Sequence, residues 1–329
     1  MIKKLIILTI LSFSILAGCG PKNLLEELSG KEKAFLTIDF HEGQTLRYRF
    51  TSRRDITIDW DPEQQNAERR NATTNKSSES VEMVVAYTPI EVDPYGLTTI
   101  KANYESVIVK RSDSSQKDAV EYFSGKTAVF TAGPTGKIED YSQLDSLIKE
   151  IGEKAFLPEI DRGRIKQQDM ICDFVATQWF LWDSVSSIEK ASEGLRIGQS
   201  WTSKLSVPTP MVSRQARQVT YKLEEIRQSE KGRLAVISGS YDKADSVPRS
   251  WPVPYFGRFQ MSGRFGFLSN YKFLDINGSG EELFNIDMGR TEEYKQQYEV
   301  IIQSSIPLGI RGNPVINIEQ TLTMKILED

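Results

Sequence analysis

The sequence predicts an α+β fold, mainly antiparallel β, in which two related β units form a curved or half-barrel sheet packed on a central helical segment. Three observations lead to this prediction. Short stretches that alternate apolar and polar residues fill both halves of the chain. The stretch between them, residues 142–188, has helical spacing instead. Turn motifs of the first half recur in the same order in the second half.

Composition sets broad limits on the function. The chain has 329 residues, of which 39% are hydrophobic and 26% charged, and its net charge is −4. These values suit a folded globular protein of one large or two smaller domains. The slightly acidic balance argues against nucleic-acid binding, which normally needs a basic patch. The single histidine, His41, precedes a turn and leaves little room for histidine-based catalysis or a zinc site.

The first eighteen residues predict a secretory signal. Lys3 and Lys4 precede an apolar run at 5–15, which is too short to span a membrane as a helix. The sequence Leu-Ala-Gly-Cys at 16–19 then resembles the signal of bacterial lipoproteins, which implies cleavage after Gly18 and acylation of Cys19. An ordinary signal peptide with a chance cysteine is the alternative. Several acyl chains on one residue anchor a protein firmly, because each buried CH₂ contributes about 0.8 kcal/mol.

The same resemblance implies a location. Gly20, rather than aspartate, follows Cys19. In Gram-negative lipoproteins this favours the outer membrane, so the mature chain is expected to face the periplasm or the exterior. Residues 19–33 would form a lipidated tether, and the first expected partner is the membrane.

A first β unit is expected at residues 34–140. Alternation predicts its strands at 34–40, 46–60, 81–90, 97–109 and 127–131. The almost wholly polar stretch 61–80 predicts a long loop. Asp-Pro-Tyr-Gly at 93–96 predicts the turn of a hairpin.

A helical segment is expected at residues 141–194. Ser142 and Asp145 have the spacing of a helix-start capping pair, and Pro158 ends this first helix. A second helix is expected at 167–188, where apolar residues cover more than one stripe. It either fills the core of the curved sheet or lines a cavity for an apolar ligand. The ligand-binding candidates on it are Phe174, Trp179 and Trp182, and Cys172 is expected to be a buried small hydrophobe.

A second β unit is expected at residues 195–329. Gly-Gln-Ser-Trp at 198–201 echoes Gly-Gln-Thr-Leu at 43–46, and a hairpin with its turn at Lys231-Gly232 echoes the earlier hairpin. The motifs occur in the same order in both units while the loops between them differ in length, as in a duplicated structural unit. The chain closes with strands at 298–302 and 315–327, the second with a slip in its alternation near Glu319-Gln320.

An aromatic-rich insertion at 247–275 interrupts the second unit. Trp251 and Phe256 are its ligand-binding candidates. The insertion would form a mouth for lipid or glycan, or a docking surface for a protein. Alternatively, its aromatic residues are one buried face of a further hairpin.

Familiar catalytic motifs are absent from the sequence. It has no Gly-x-x-x-x-Gly-Lys loop, no Gly-x-Ser-x-Gly elbow, no Cys-x-x-Cys pair and no His-Glu-x-x-His. We therefore predict no catalytic residue, no metal site and no cofactor. Carboxylate-only chemistry such as glycoside hydrolysis stays open, because Asp and Glu are plentiful.

Four motifs lie at 43–50, 92–100, 198–201 and 316–324. Together with the Leu-Ala-Gly-Cys sequence at 16–19, they resemble a family of uncharacterised bacterial envelope lipoproteins, a domain of unknown function. The resemblance spans most of the mature chain, but its motifs are strand and turn patterns and imply no catalytic residue.

Three functional hypotheses follow. The first is a non-enzymatic envelope lipoprotein that binds a hydrophobic ligand, such as a lipid, between the curved sheet and the helices, with an apolar cavity beside Phe174, Trp179 or Trp182. The second is an envelope scaffold or adaptor that binds another protein through the aromatic insertion. The third is a carboxylate-based hydrolase.

Overall fold

The computed structural model describes residues 33–64, 67–112, 119–133, 138–140, 142–143, 146–147, 194–207, 209, 212, 215–247, 268–306 and 313–328. Several sequence-based predictions lie outside these residues. They concern the lipidation site, Cys172, most of the helical segment, and the five ligand-binding candidates Phe174, Trp179, Trp182, Trp251 and Phe256.

The described chain forms one antiparallel sheet of eleven strands. The strands are β1 (Leu46–Asp59), β2 (Thr74–Val92), β3 (Thr98–Arg111), β4 (Thr127–Ala132), β5 (Ile138–Asp140), β6 (Ser200–Ser206), β7 (Ala216–Ser229), β8 (Gly232–Lys243), β9 (Ser269–Asn285), β10 (Arg290–Ser305) and β11 (Val315–Leu327). Their order across the sheet is β5-β4-β3-β2-β1-β11-β10-β9-β8-β7-β6. The strands of both predicted β units therefore share one sheet.

The prediction of an α+β fold with a central helical segment packed on the sheet is wrong. Strands make up most of the described chain, and its helical parts include α1 (Ala67–Ala72), a 3-10 helix at Ala119–Phe123 and the described residues 142–143 and 146–147. Local apolar spacing suggested the helical layer, but spacing does not determine tertiary packing. In the described residues, long strands with alternating burial supply most of the core.

The first and last strands pair at the centre of the sheet. β1 and β11 are antiparallel neighbours from Arg47↔Leu327 to Asp59↔Val315 without a register shift. From this seam, β2 to β5 extend to one side and β10 to β6 to the other, each as a meander of adjacent strands. One long-range pairing thus joins two runs of local hairpins.

One face of the sheet is buried, and we call it the inner face. Burial alternates along the strands, because successive side chains point to opposite faces. On the seam, Phe50, Ile318 and Leu322 are buried, whereas the intervening Arg49, Glu319 and Lys325 are exposed. The inner face carries the apolar core that the sequence pattern predicts.

The segment 34–40, which we call the strap, crosses one end of the sheet instead of forming the predicted strand. It begins at an isolated bridge between Ala34 and Leu195, just before β6. Its Asp39 amide then donates to the carbonyl of Gly289, at the β9–β10 turn. Leu36 is buried, while Phe35 points to solvent. The strap thus closes the inner face at what we call the strap end, where β2 meets β3 and β9 meets β10.

Several predicted strands are confirmed and two details are wrong. The alternating segment at 46–60 is β1, and the hairpin around 93–96 is β2 and β3. The polar stretch 61–80 is not one long loop, because residues 74–80 already belong to β2 and pair with β1. The predicted slip near Gln320 is absent from β11, since its register with both neighbours is continuous.

Candidate functional site

A group of polar side chains lies on the mainly apolar inner face of the second β unit. We call Tyr241, Glu282, Tyr294 and Gln296 the polar cluster. Strand register brings them together: Glu282 on β9 lies opposite Tyr294 on β10, and Gln296 lies opposite Gly280. All four side chains are almost completely buried.

Glycine makes the close packing of this cluster possible. A Cβ atom at Gly280 would overlap the hydroxyl of Tyr241, so the tyrosine ring lies directly against the backbone of β9. The hydroxyl groups of Tyr241 and Tyr294 are 3.1 Å apart and share a hydrogen bond. Burial raises the pKa of both tyrosines, so both stay protonated and neutral.

Glu282 is the carboxyl group of the cluster. The Thr291 hydroxyl donates to its Oε1 at 2.7 Å. Its Oε2 is buried with no hydrogen-bond partner. Burial raises the pKa of Glu282 to about 8, against a smaller opposing effect of the Thr291 hydrogen bond. At neutral pH the side chain is therefore mainly an uncharged carboxylic acid.

Gln296 is the least satisfied group of the cluster. Its side chain is 0% exposed, and neither its amide nitrogen nor its amide oxygen has a hydrogen-bond partner. Buried polar groups in proteins are nearly always hydrogen-bonded, so such a residue calls for an explanation. An unpaired buried group costs about 1–3 kcal/mol.

A second buried glutamine on the inner face, Gln320, does have hydrogen-bond partners for its amide. Arg54 pairs with Glu79 at 2.9 Å and donates to Gln320 at 3.1 Å. Gln320 in turn donates to the Ser52 hydroxyl at 2.9 Å. The amide of Gln320 is therefore bonded at both ends, as expected of a structural network. Gln296 lies two residues before Tyr298, which is opposite Gln320 in the strand register. The Gln296 amide, by contrast, has no hydrogen-bond partner.

An apolar pocket lies beside the polar cluster, beneath the strap. It has a volume of about 30 Å³, enough for one or two waters or the end of an alkyl chain. Its walls are Ile38, Phe40, Leu46, Tyr48, Tyr87, Gly289, Arg290, Thr291 and Met324. Thr291 belongs to both features, since it lines the pocket and donates to Glu282. The Thr291 side chain thus separates the apolar pocket from the Glu282 carboxyl group.

A larger polar groove of about 660 Å³ lies on the outer face across β1, β11, β10 and β9. Asp55, Glu319 and Glu299 stand side by side in it as cross-strand neighbours. Arg53 donates to Asp55 at 3.2 Å, and Asn317 donates to Glu299 at 2.5 Å. Within the described residues, no group of three or more His, Cys, Asp or Glu side chains has the arrangement of a metal site.

The polar cluster was not among the sequence-based candidates, which all lie outside the described residues. A signal was present: Gln296 is in phase with Tyr294, Tyr298 and Val300 on one face of a strand. Gly278 and Gly280 within a strand also mark a place where other groups approach the backbone. The buried partners themselves could not be found from sequence, because they depend on strand register.

No protein-family model and no curated protein matches this chain. Several solved structures share some similarity, among them the following three. A lipovitellin structure on lipid–protein interactions has 15% identity and a TM-score of 0.41, covering 88% of this chain and 26% of its own. DynF, from the dynemicin biosynthesis pathway of Micromonospora chersina, has 5% identity and a TM-score of 0.21, covering 88% and 83%.

The third structure, the outer membrane protein OprG of Pseudomonas aeruginosa, has 6% identity and a TM-score of 0.19, covering 89% of this chain and 100% of its own. In the lipovitellin comparison, this chain spans only about a quarter of the length of the other chain. All three TM-scores are low, so these likenesses establish no common function. No helix among the described residues combines the length and apolar character needed to cross a bilayer.

Proposed function

We propose that this protein is a non-enzymatic bacterial envelope lipoprotein that binds an amphiphilic ligand against the inner face of its sheet. The observation that supports this most strongly is the unpaired amide of Gln296, which is buried on the same face as the unpaired Oε2 of Glu282 and one inward-facing register pair away from it. A site built to hydrogen-bond a ligand leaves its own polar groups unpaired when the ligand is absent. The structural network around Arg54 shows that this sheet can satisfy buried polar groups elsewhere.

The chemistry of the cluster indicates the class of ligand. An amide both donates and accepts, and a protonated carboxyl group does the same. Both groups are uncharged near pH 7, so they suit a hydroxyl, amide or ester group better than an ion. The neighbouring pocket and most of the surrounding core are apolar, although the buried Arg217 guanidinium lies 5.5 Å from the centre of the Tyr241 ring. We therefore expect a lipid-like molecule with an uncharged polar group.

The proposed location rests on the lipoprotein-like signal at 1–19 and on Gly20 after it. Acylation of Cys19 would anchor the chain to the outer membrane through residues 19–33, on the periplasmic or external side. Growth with a radiolabelled fatty acid should label the wild-type protein, and Cys19→Ala should abolish the label.

Ligand binding can be tested on the chain from Gly20 to Asp329, which retains every described residue. An organic extract of the purified protein is analysed by mass spectrometry, and a fluorescently labelled monoacylglycerol is titrated as an uncharged probe. Gln296→Leu replaces the unpaired amide with an apolar group of similar size. We expect at least about tenfold weaker probe binding, while the unfolding free energy is unchanged or higher by about 1 kcal/mol.

Gln320→Leu is the matched control, because this buried amide is already satisfied within the protein. It should lower the unfolding free energy by about 1–3 kcal/mol and leave the affinity of the folded protein unchanged. An empty extract together with no probe binding by the wild-type protein would contradict the proposal. So would equal binding by wild type and Gln296→Leu.

Two other hypotheses have less support. The adaptor hypothesis depends on the insertion at 247–275, of which 248–267 lie outside the described residues. The hydrolase hypothesis needs two carboxylates that face each other across a substrate. In the outer groove, Asp55, Glu319 and Glu299 instead project side by side from adjacent strands.

A further inference from the structure

Most of the exposed large apolar side chains in the described chain lie at the strap end of the sheet. They are Phe35 on the strap, Ile90, Val92, Tyr95 and Leu97 on the β2–β3 hairpin, Ile197 before β6, and Met288 in the β9–β10 turn. The others, Ile108, Tyr122 and Val247, lie toward the opposite end. Scattered exposed apolar residues are ordinary, whereas their concentration at one end marks an interaction surface.

The exposure at the β2–β3 tip is built into the turn. The Asp93 carboxylate accepts hydrogen bonds from the amides of Tyr95 and Leu97, both at 2.8 Å. The Asp93 amide donates to the Leu97 carbonyl at 2.9 Å. Asp in this position is a strong turn former. The turn therefore holds Tyr95 in solvent, where 87% of its surface is exposed.

The lipid anchor of the proposed function favours a membrane as the partner of this surface. The strap enters the sheet at Ala34, at the same end as these side chains. Cys19 lies about 15 residues upstream, so an extended tether would reach at most about 50 Å. An acyl anchor at Cys19, as in the proposed function, would thus hold the strap end within about 50 Å of the bilayer. We propose that the strap end lies directly on the lipid bilayer and inserts its apolar side chains into the interface.

Charge at this end indicates what kind of bilayer contact to expect. Lys231 pairs with Glu328, and Arg233 pairs with Asp287 at 2.7 Å. The exposed tip also carries Glu91. These two pairs neutralise Lys231 and Arg233, so we expect the contact to depend mainly on apolar burial. Zwitterionic vesicles should therefore be sufficient for binding.

The experiment uses the unlipidated chain 20–329 and co-flotation with vesicles of phosphatidylcholine alone or mixed with phosphatidylglycerol. The wild-type chain should float with both kinds of vesicle. The double variant Tyr95→Ser/Leu97→Ser should bind about tenfold less. The control Ile108→Ser/Tyr122→Ser also removes one aliphatic and one tyrosine side chain, but from the opposite end, and should bind like the wild type. Circular dichroism checks that each variant is folded.

Three results would overturn the inference: no flotation of the wild-type chain, equal flotation of the strap-end variant, or equal loss in both double variants. Binding only to vesicles that contain phosphatidylglycerol would also contradict it, since that would indicate an electrostatic contact. The inference goes beyond the proposed ligand site and is tested separately from it. The assay needs neither Cys19 acylation nor a ligand, and Gln296→Leu should float like the wild type.

Discussion

At the residue scale, Glu282 couples the stability of the protein to pH. Burial raises the pKa of its carboxyl group to about 8, compared with 4.5 for an unperturbed glutamate. Between these values the folded protein keeps a proton that the unfolded chain releases. Folded-state stability therefore decreases as pH rises through this range, and the loss is complete above about pH 8.

Glu282→Gln removes this dependence while keeping an acceptor for the Thr291 hydroxyl. We expect the unfolding free energy of the variant, relative to wild type, to increase by about 1.4 kcal/mol for each pH unit between 5 and 8. Urea denaturation at several pH values measures the difference. Glu281→Gln removes an exposed carboxyl group from the same strand and controls for the loss of charge. Parallel pH curves for wild type and Glu282→Gln would contradict a buried, protonated Glu282.

Single residues were the hardest feature to predict from the sequence. Gln320 suggested a slip in an apolar pattern, because a lone glutamine among inward-facing positions has no obvious partner. The structure supplies one in Arg54, which is 266 positions away in the chain. Such partners become visible only when the strand register is known.

At the scale of elements, the strap depends on glycine at the β9–β10 turn. Gly289 has a φ of +57°, and a Cβ atom there would lie 2.6 Å from the backbone nitrogen of Asp39. Gly289→Ala should therefore strain the turn and push the strap away. We expect a loss of about 2 kcal/mol in unfolding free energy and faster tryptic cleavage after Lys33.

Gly125→Ala is the control for backbone strain alone. Its φ is +77°, and no neighbouring atom lies within 4 Å of the new Cβ. It should cost about 1 kcal/mol and leave cleavage after Lys33 unchanged. If both variants lose the same stability and show the same cleavage, the contact between the strap and the turn contributes little.

Apart from the strap, elements with clear alternation were predicted well, and polar ones were not. The hairpin around Asp93 and the strand at 46–60 follow from local pattern and turn chemistry. Residues 74–80 were expected to be a loop, because Asn75, Lys76 and Ser77 carry no apolar alternation. They become a strand by pairing with the far end of β1. Their structure is thus set by a neighbouring strand rather than by their own sequence.

At the scale of the whole molecule, the β1–β11 seam joins the strands of both predicted units into one sheet. Ile318 is completely buried in this seam, between Ile56 on β1 and Val300 on β10. Ile318→Ala should cost about 3 kcal/mol. We expect calorimetry to show one unfolding transition, which shifts as a whole to lower temperature, because the sheet is continuous.

Ile108→Ala removes a half-exposed side chain and should change the unfolding free energy by less than about 0.5 kcal/mol. Two separate transitions, only one of which responds to Ile318→Ala, would show that the units unfold independently. The sequence repeats predicted two related β units that form one curved or half-barrel sheet. They could not predict that the two units join through the first and last strands, because motif order says nothing about which strands become neighbours.

The strand order has a consequence for the path of the chain. Followed in sequence, the chain steps to an adjacent strand every time except between β5 and β6, which are the two edges of the sheet. β1 and β11, by contrast, are neighbours. Linking Leu327 to Leu46 and opening the chain between β5 and β6 would build the same sheet from nearest-neighbour hairpins alone, with a lower contact order. The strand order is therefore that of a circularly permuted meander. The central turn of the simple meander would be the one that connects β11 to β1.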